Sequence, residues 1–178
     1  MAGADDDLDE VGRITEALTK AGFDPIMVGG MALVVLGSRR VTTDFDFVIA
    51  SPGERLQTLV DVFYDRGLEL ASRLNENGEV IATIDNRRAA AIRLRIDKPV
   101  NAFFVKRRTG LRVDLLFDFP LPAATLAATA TEMKVRSHVF RLASENDLLR
   151  LKQIAHADRA AASDAQDIAF LEARRARK

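Results

Sequence analysis

The 178-residue chain contains no cysteine. This excludes a disulfide framework, a zinc–thiolate site and a cysteine nucleophile, and it fits a reducing cytoplasm. No apolar run approaches the roughly 20 residues of a membrane span, and the acidic start is wrong for a signal peptide. There is no excess of either charge. Twenty-six basic residues balance twenty-six acidic ones, so bulk charge points to no nucleic-acid partner. Only two histidines are present, His138 and His156, with no ligand spacing between them; both read as surface residues. Internal repeats and low-complexity linkers are also missing. What is there is ordinary for a soluble globular domain: 48% apolar and 29% charged residues, enough chain for one real core. The charge is uneven along it. Asp5-Asp6-Asp7, Asp9 and Glu10 make the start acidic, and Arg174, Arg175, Arg177 and Lys178 make the end basic, which reads as two solvated ends.

The stretch Val28 to Ala50 organises the rest. It opens on Gly29-Gly30 after the apolar run Ile26-Met27-Val28, and closes on Asp44-Phe45-Asp46-Phe47-Val48-Ile49. Alternation of period two predicts a strand with Phe45 and Phe47 in a core and Asp44 and Asp46 together on the other face. Two carboxylates about 7 Å apart along one strand repel each other, and a divalent cation with oxygen ligands is the usual remedy. The glycine pair allows close backbone approach to a phosphate, and the short apolar helix expected over Met31 to Gly37 offers free N–H groups to an anion. A phosphate cradle beside a metal site suggests nucleotide chemistry.

Along the chain, helical spacing predicts an amphipathic helix from about Leu8 to Ala21, ended by Gly22. A short strand spans Phe23 to Val28. Ser51-Pro52-Gly53 ends the aspartate strand, and Glu54 to Arg66 is helical. Asn75 to Gly78 is a turn between two extended pieces within Leu68 to Ile84. Ala89 to Ile96 alternates, with Ile92, Leu94 and Ile96 on one side and Arg93 and Arg95 on the other. Phe103–Lys106 and Leu111–Phe117 form a hairpin around Arg107-Arg108-Thr109-Gly110, a turn that is either simply exposed or touches an RNA acceptor. Asp114, among apolar strand residues, must be paired, exposed or metal-bound; Arg93 and Arg95 are candidate partners. Met133 to Leu142 is a second hairpin. Ser144 caps a helix running through Ile154, and a last helix spans about Ser163 to Arg174 with Ile168 and Leu171 inside.

Gly29-Gly30, then Arg40-Val41-Thr42-Thr43-Asp44-Phe45-Asp46, then Asp114 on a later strand, resembles the DNA polymerase beta-like nucleotidyltransferase superfamily. Asp147-Leu148-Leu149-Arg150-Leu151-Lys152, followed by Arg159 and Asp164-Ala165-Gln166-Asp167-Ile168, is similar to the tail of small bacterial members. These are the AbiEii-type toxins of toxin–antitoxin and abortive-infection systems and the minimal MNT-type enzymes. The resemblance covers roughly Phe23 to Leu171 and is less distinctive in the middle. It implies an α/β architecture: a mixed sheet with packed helices, divided into a flexible acidic N-terminus (1–7), a nucleotidyltransferase core (8–143) and C-terminal helices (144–178). It also implies transfer of a nucleoside monophosphate from a triphosphate to a hydroxyl, with Mg2+ or Mn2+. Asp44, Asp46 and Asp114 are then the catalytic metal ligands, and Gly29, Gly30, Arg40, Thr42, Lys152 and Asp164 the nucleotide-binding set. The acceptor is a tRNA, a cognate protein partner or a small molecule, and an inactive nucleotide- or partner-binding module of the same fold is the alternative. Residue by residue, plainer roles stay open. Arg40 either contacts phosphate or pairs with a local acid. Lys152 is a phosphate contact or a surface lysine. Asp164 is functional or a helix-dipole acid, and Asp167 pairs with Arg159.

Overall fold

A computed structural model describes residues 3–178. One mixed sheet of eight strands runs β4-β3-β5-β6-β2-β1-β8-β7, where β1 is Ile26–Val28, β2 Asp44–Ile49, β3 Glu69–Leu74 and β4 Val80–Ile84. The others are β5 Asn101–Lys106, β6 Leu111–Phe117, β7 Thr131–Val135 and β8 His138–Leu142. Seven helices join them among the described residues: α1 Ala4–Lys20, α2 Gly29–Val35, α3 Leu56–Tyr64, α4 Arg87–Asp97, α5 Ala123–Thr129, α6 Glu145–Arg159 and α7 Ala162–Ala176. The expected α/β architecture is therefore present. The acidic start is not a separate tail. Asp5, Asp6 and Asp7 form the first turn of α1, where carboxylates oppose the helix dipole.

The sheet has two unlike faces because side chains alternate along each strand. Phe45, Phe47 and Ile49 of β2 are all at most 2% exposed. Phe104 shares their side through its register with Val113, the neighbour of Phe45. There Phe104 stacks on Phe63 of α3, ring centroids 4.0 Å apart. Val11, Ile14 and Leu18, spaced at helical intervals on α1, join the same core. The other face carries Asp44 and Asp46.

Most expected elements are present: both hairpins, the aspartate strand, and α6 capped by Ser144, whose hydroxyl accepts from the Asp147 amide at 3.1 Å. The alternating run Ala89 to Ile96 is instead helical, inside α4. Asn86 caps that helix by accepting from the Ala89 amide at 3.0 Å, and Ala90, Ala91 and Leu94 form its buried stripe. Ile92 and Ile96 are left exposed at 53% and 72%. The run satisfies periods of two and of 3.6 alike, and the small alanines fit the α3 surface only as a helix. Helix α5 occupies a stretch for which no element was expected. His138 is buried, not a surface residue. Its ring lies against Gly12 of α1, and its Nδ1 is 2.6 Å from Glu16 Oε1. His156 is half-buried, with an Nδ1 that has no hydrogen-bond partner.

Candidate active site

Strands β2 and β6 are parallel and in register, so Asp44 stands beside Arg112 and Asp46 beside Asp114. All four side chains therefore rise from one face. Asp44 is exposed at the mouth, Asp46 half-buried, and Asp114 only 8% exposed. Burial, and next the Asp114 charge, push the Asp46 carboxyl up to about 7. Asp114 is also raised by burial, although Arg112 pulls in the other direction. Burial thus raises both neighbouring carboxyls above the ordinary carboxylate range. Neither Arg93 nor Arg95 is the partner of Asp114. Arg112 is: its Nε donates to Oδ1 at 2.8 Å and its Nη2 to Oδ2 at 3.3 Å. Arg112 was missed by sequence reasoning, although a residue two positions earlier on a strand must share the face of Asp114.

The glycine pair sits against this acid row. β1 runs antiparallel to β2 with Val28 opposite Asp46, and α2 starts at Gly29, earlier than expected. Gly29 has φ +72°, and a Cβ there would fall 2.2 Å from Asp46 Oδ2. Only glycine satisfies both the left-handed backbone and that contact. A Cβ on Gly30 would lie 2.9 Å from Arg40 Cζ, so the guanidinium covers that glycine. The Thr42 hydroxyl accepts weakly from the Asp44 amide at 3.4 Å and shapes the entry to β2.

Helices α6 and α7 bring a charge network to the same place. Lys152 is not a surface lysine; it is 7% exposed, with Nζ 2.8 Å from Asp167 Oδ2 and 3.7 Å from Asp164 Oδ1. Asp167, 3% exposed, also pairs with Arg40 and not with Arg159. Arg159 instead grips Asp164, Nε to Oδ2 at 2.7 Å and Nη2 to Oδ1 at 2.8 Å. That grip holds the Asp164 carboxyl below the usual carboxylate range. Asp164 is fully buried, so it bears on the site through Lys152 and Arg159 and not by lining it. Arg40 thus pairs with an acid, but one 127 residues away.

A cleft of about 470 Å3 opens over these groups. Gly29, Gly30, Arg40, Thr42, Asp44, Asp46, Asp114 and Lys152 all line it, facing apolar residues of α6 such as Leu148 and Leu151. Of the nine expected site residues, Asp164 alone does not line it. A size of this order suits a small ligand. As the side chains lie, no three acids or histidines among the described residues converge closely enough to ligate an ion. The donor chemistry nevertheless fits a hard cation. Three carboxylates share one face, two of them are pressed together, and burial disfavours their negative charge. Asp44, Asp46 and Asp114 could hold it.

No protein-family model matches the chain, and no curated protein matches it. Solved structures do resemble it. An antigenic nucleotidyltransferase-like protein from Paracoccidioides brasiliensis has a TM-score of 0.61 at 19% identity, spanning 94% of this chain and 75% of that one. The lincosamide antibiotic adenylyltransferase LnuA, bound to lincomycin, has a TM-score of 0.58 at 12% identity, over 92% and 95% of the two chains. The antibiotic-resistance factor ANT(2'')-Ia has a TM-score of 0.59 at 12% identity, over 92% and 81%. No described helix is long and apolar enough to cross a membrane. At such identities the likeness is one of architecture, and the chain has the nucleotidyltransferase fold.

Proposed function

We propose that this protein is a nucleotidyltransferase that moves a nucleoside monophosphate from a triphosphate to an acceptor hydroxyl, dependent on Mg2+ or Mn2+. The observation that carries the reading is the single cleft in which Asp44, Asp46 and Asp114 share a face with Gly29-Gly30 and the cations of Arg40 and Lys152. In the reaction the acceptor oxygen bonds to the α-phosphorus, the bond from that phosphorus to the β-bridging oxygen breaks, and pyrophosphate leaves. A divalent cation held by Asp44, Asp46 and Asp114 would offset charge on the phosphoryl oxygens and acidify the acceptor hydroxyl. Asp114, raised by burial, is suited to take the hydroxyl proton. Gly29 keeps the backbone bare beside Asp46, which lets phosphate come close. Arg40 and Lys152, fixed by Asp167, set positive charge beside the triphosphate. Asp167 holds them in place without itself lining the cleft.

The resemblance to AbiEii-type and MNT-type enzymes supports a tRNA or protein acceptor and a role in a toxin–antitoxin or phage-defence system. A small-molecule acceptor is the second reading, favoured by the likeness to an antibiotic adenylyltransferase and an antibiotic-resistance factor. Each labelled triphosphate, with Mg2+, should be incubated with total RNA, with the neighbouring gene product, and with hydroxyl-bearing antibiotics. Label transfer to one class identifies the acceptor. Asp44→Asn should lower transfer by orders of magnitude while the protein stays folded by circular dichroism. Equal transfer by wild type and this variant would refute a metal-dependent mechanism.

A further inference from the structure

We propose that Arg112 is a cation placeholder: it holds Asp114 in the metal-free protein and must release at least one Asp114 oxygen before a divalent cation can be ligated there. The proposal rests on the reading of Asp44, Asp46 and Asp114 as the metal ligands. It concerns a positioning residue which that reading leaves out.

All three nitrogens of the Arg112 guanidinium are engaged. Two N–H groups reach Asp114, at 2.8 and 3.3 Å, and Nη1 donates to the Gly78 carbonyl at 2.8 Å. The Cζ lies 4.1 Å from the centroid of the Phe103 ring. Such a fork matches a carboxylate in two bonds at once, which a lysine cannot do. The register sets Arg112 beside Asp44 and Asp114 beside Asp46, so its positive charge sits within the acid row itself. Asp114 is too buried to stay charged alone. Arg112 supplies the counter-charge that a metal would otherwise bring. The two partners compete for the same oxygens. This accounts for three acids sharing a face without converging as ligands. The longer bond, to Oδ2, is the one more easily surrendered. The Gly78 carbonyl and the Phe103 ring then keep the guanidinium in place after it lets go. A cation at this site is therefore coupled to the turn between β3 and β4.

Manganese binding tests the proposal without any turnover. Free Mn2+ is measured by electron paramagnetic resonance in wild type, Asp46→Asn, Arg112→Lys and Phe103→Leu, without nucleotide. Arg112→Lys keeps the charge and removes the two-bond fork. It should bind Mn2+ about tenfold more tightly, the size of one charge-assisted hydrogen bond no longer competing, and it should melt at a lower temperature when metal-free. Phe103→Leu changes no charge and only loosens the guanidinium, so it should shift affinity in the same direction by less. It decides the matter if Arg112→Lys does not fold. If Asp46→Asn weakens binding but Arg112→Lys binds equally or more weakly, Arg112 merely orients Asp114 and the placeholder is wrong. If wild type and Asp46→Asn bind alike, the metal reading itself fails and takes the placeholder with it.

Discussion

Asp46 on β2 lies directly beside Asp114 on β6, and burial raises both carboxyls. With no cation present, the protein carries this pair at the expense of its own stability.

Asp46→Asn should therefore stabilise the metal-free protein at neutral pH. The folded Asp46 carboxyl is raised to about 7 from an ordinary 3.8, so the native state binds this proton more tightly than the unfolded state. The stability it supports is complete below about pH 3.8 and is lost as the pH rises through about 7. Asparagine can donate to Asp114 at every pH. In chelator, its melting temperature should exceed that of wild type by several degrees at pH 7.5, at about 2–4 °C per kcal/mol for a chain of this size. The gap should close near pH 4. A gap independent of pH would show that the folded Asp46 carboxyl is not raised.

Gly29 and Gly37 separate backbone strain from a clash in the site. Both have positive φ, +72° and +101°. A Cβ at Gly37 meets nothing within 4 Å, whereas one at Gly29 strikes Asp46. Gly37→Ala should cost only the left-handed backbone penalty, on the order of 1–3 kcal/mol. Gly29→Ala should cost more and also displace the Asp46 carboxylate. Urea unfolding gives the first difference, and Mn2+ binding, lost in Gly29→Ala alone, the second.

The buried network predicts an asymmetry. Asp167 is the shared partner of Arg40 and Lys152. Asp167→Ala strands two cations and should destabilise by about 3–5 kcal/mol, the usual result of breaking a buried pair from one side. Lys152→Met leaves Asp167 with Arg40 and Asp164 with Arg159, so it should cost clearly less. Equal losses in urea unfolding would mean that the network depends on the lysine as much as on the aspartate.

Gly12→Ala should destabilise, against the general preference of helices for alanine of roughly 1 kcal/mol. Gly12 lies inside α1, and a Cβ there would fall 2.3 Å from Cγ of the buried His138 ring. The ring is also tied to Glu16, so it cannot simply turn away. A rise in melting temperature would show that the ring yields easily.

Much of the fold was legible because its signals are local. The alternation in Asp44 to Ile49, the glycine turn before Leu111 and the Ser144 cap each need only a few adjacent residues to be read. The same holds for the core of the site: two aspartates on one strand and a glycine pair before a helix. The run from Ala89 to Ile96 misled because its residues fit both periods, and the deciding facts were a cap at Asn86 and the surface of α3. Arg112 was within reach of strand periodicity. Asp167 was not, because nothing near it in sequence marks Arg40 as its partner.

Outside the run from Ala89 to Ile96, the sequence by itself determined which faces the strands and helices would bury, since periodicity is a property of neighbouring residues. It also determined that three acids and two glycines would be available for one chemistry. Only the tertiary structure decided how the charges pair. Arg40 and Asp167 are separated by 127 residues, and Asp46 meets Asp114 through a parallel register that no local signal specifies. Hydrophobic burial tolerates many partners, so a pattern suffices to read it. A buried charge needs a particular partner at hydrogen-bond distance, and that distance exists only once the chain has folded.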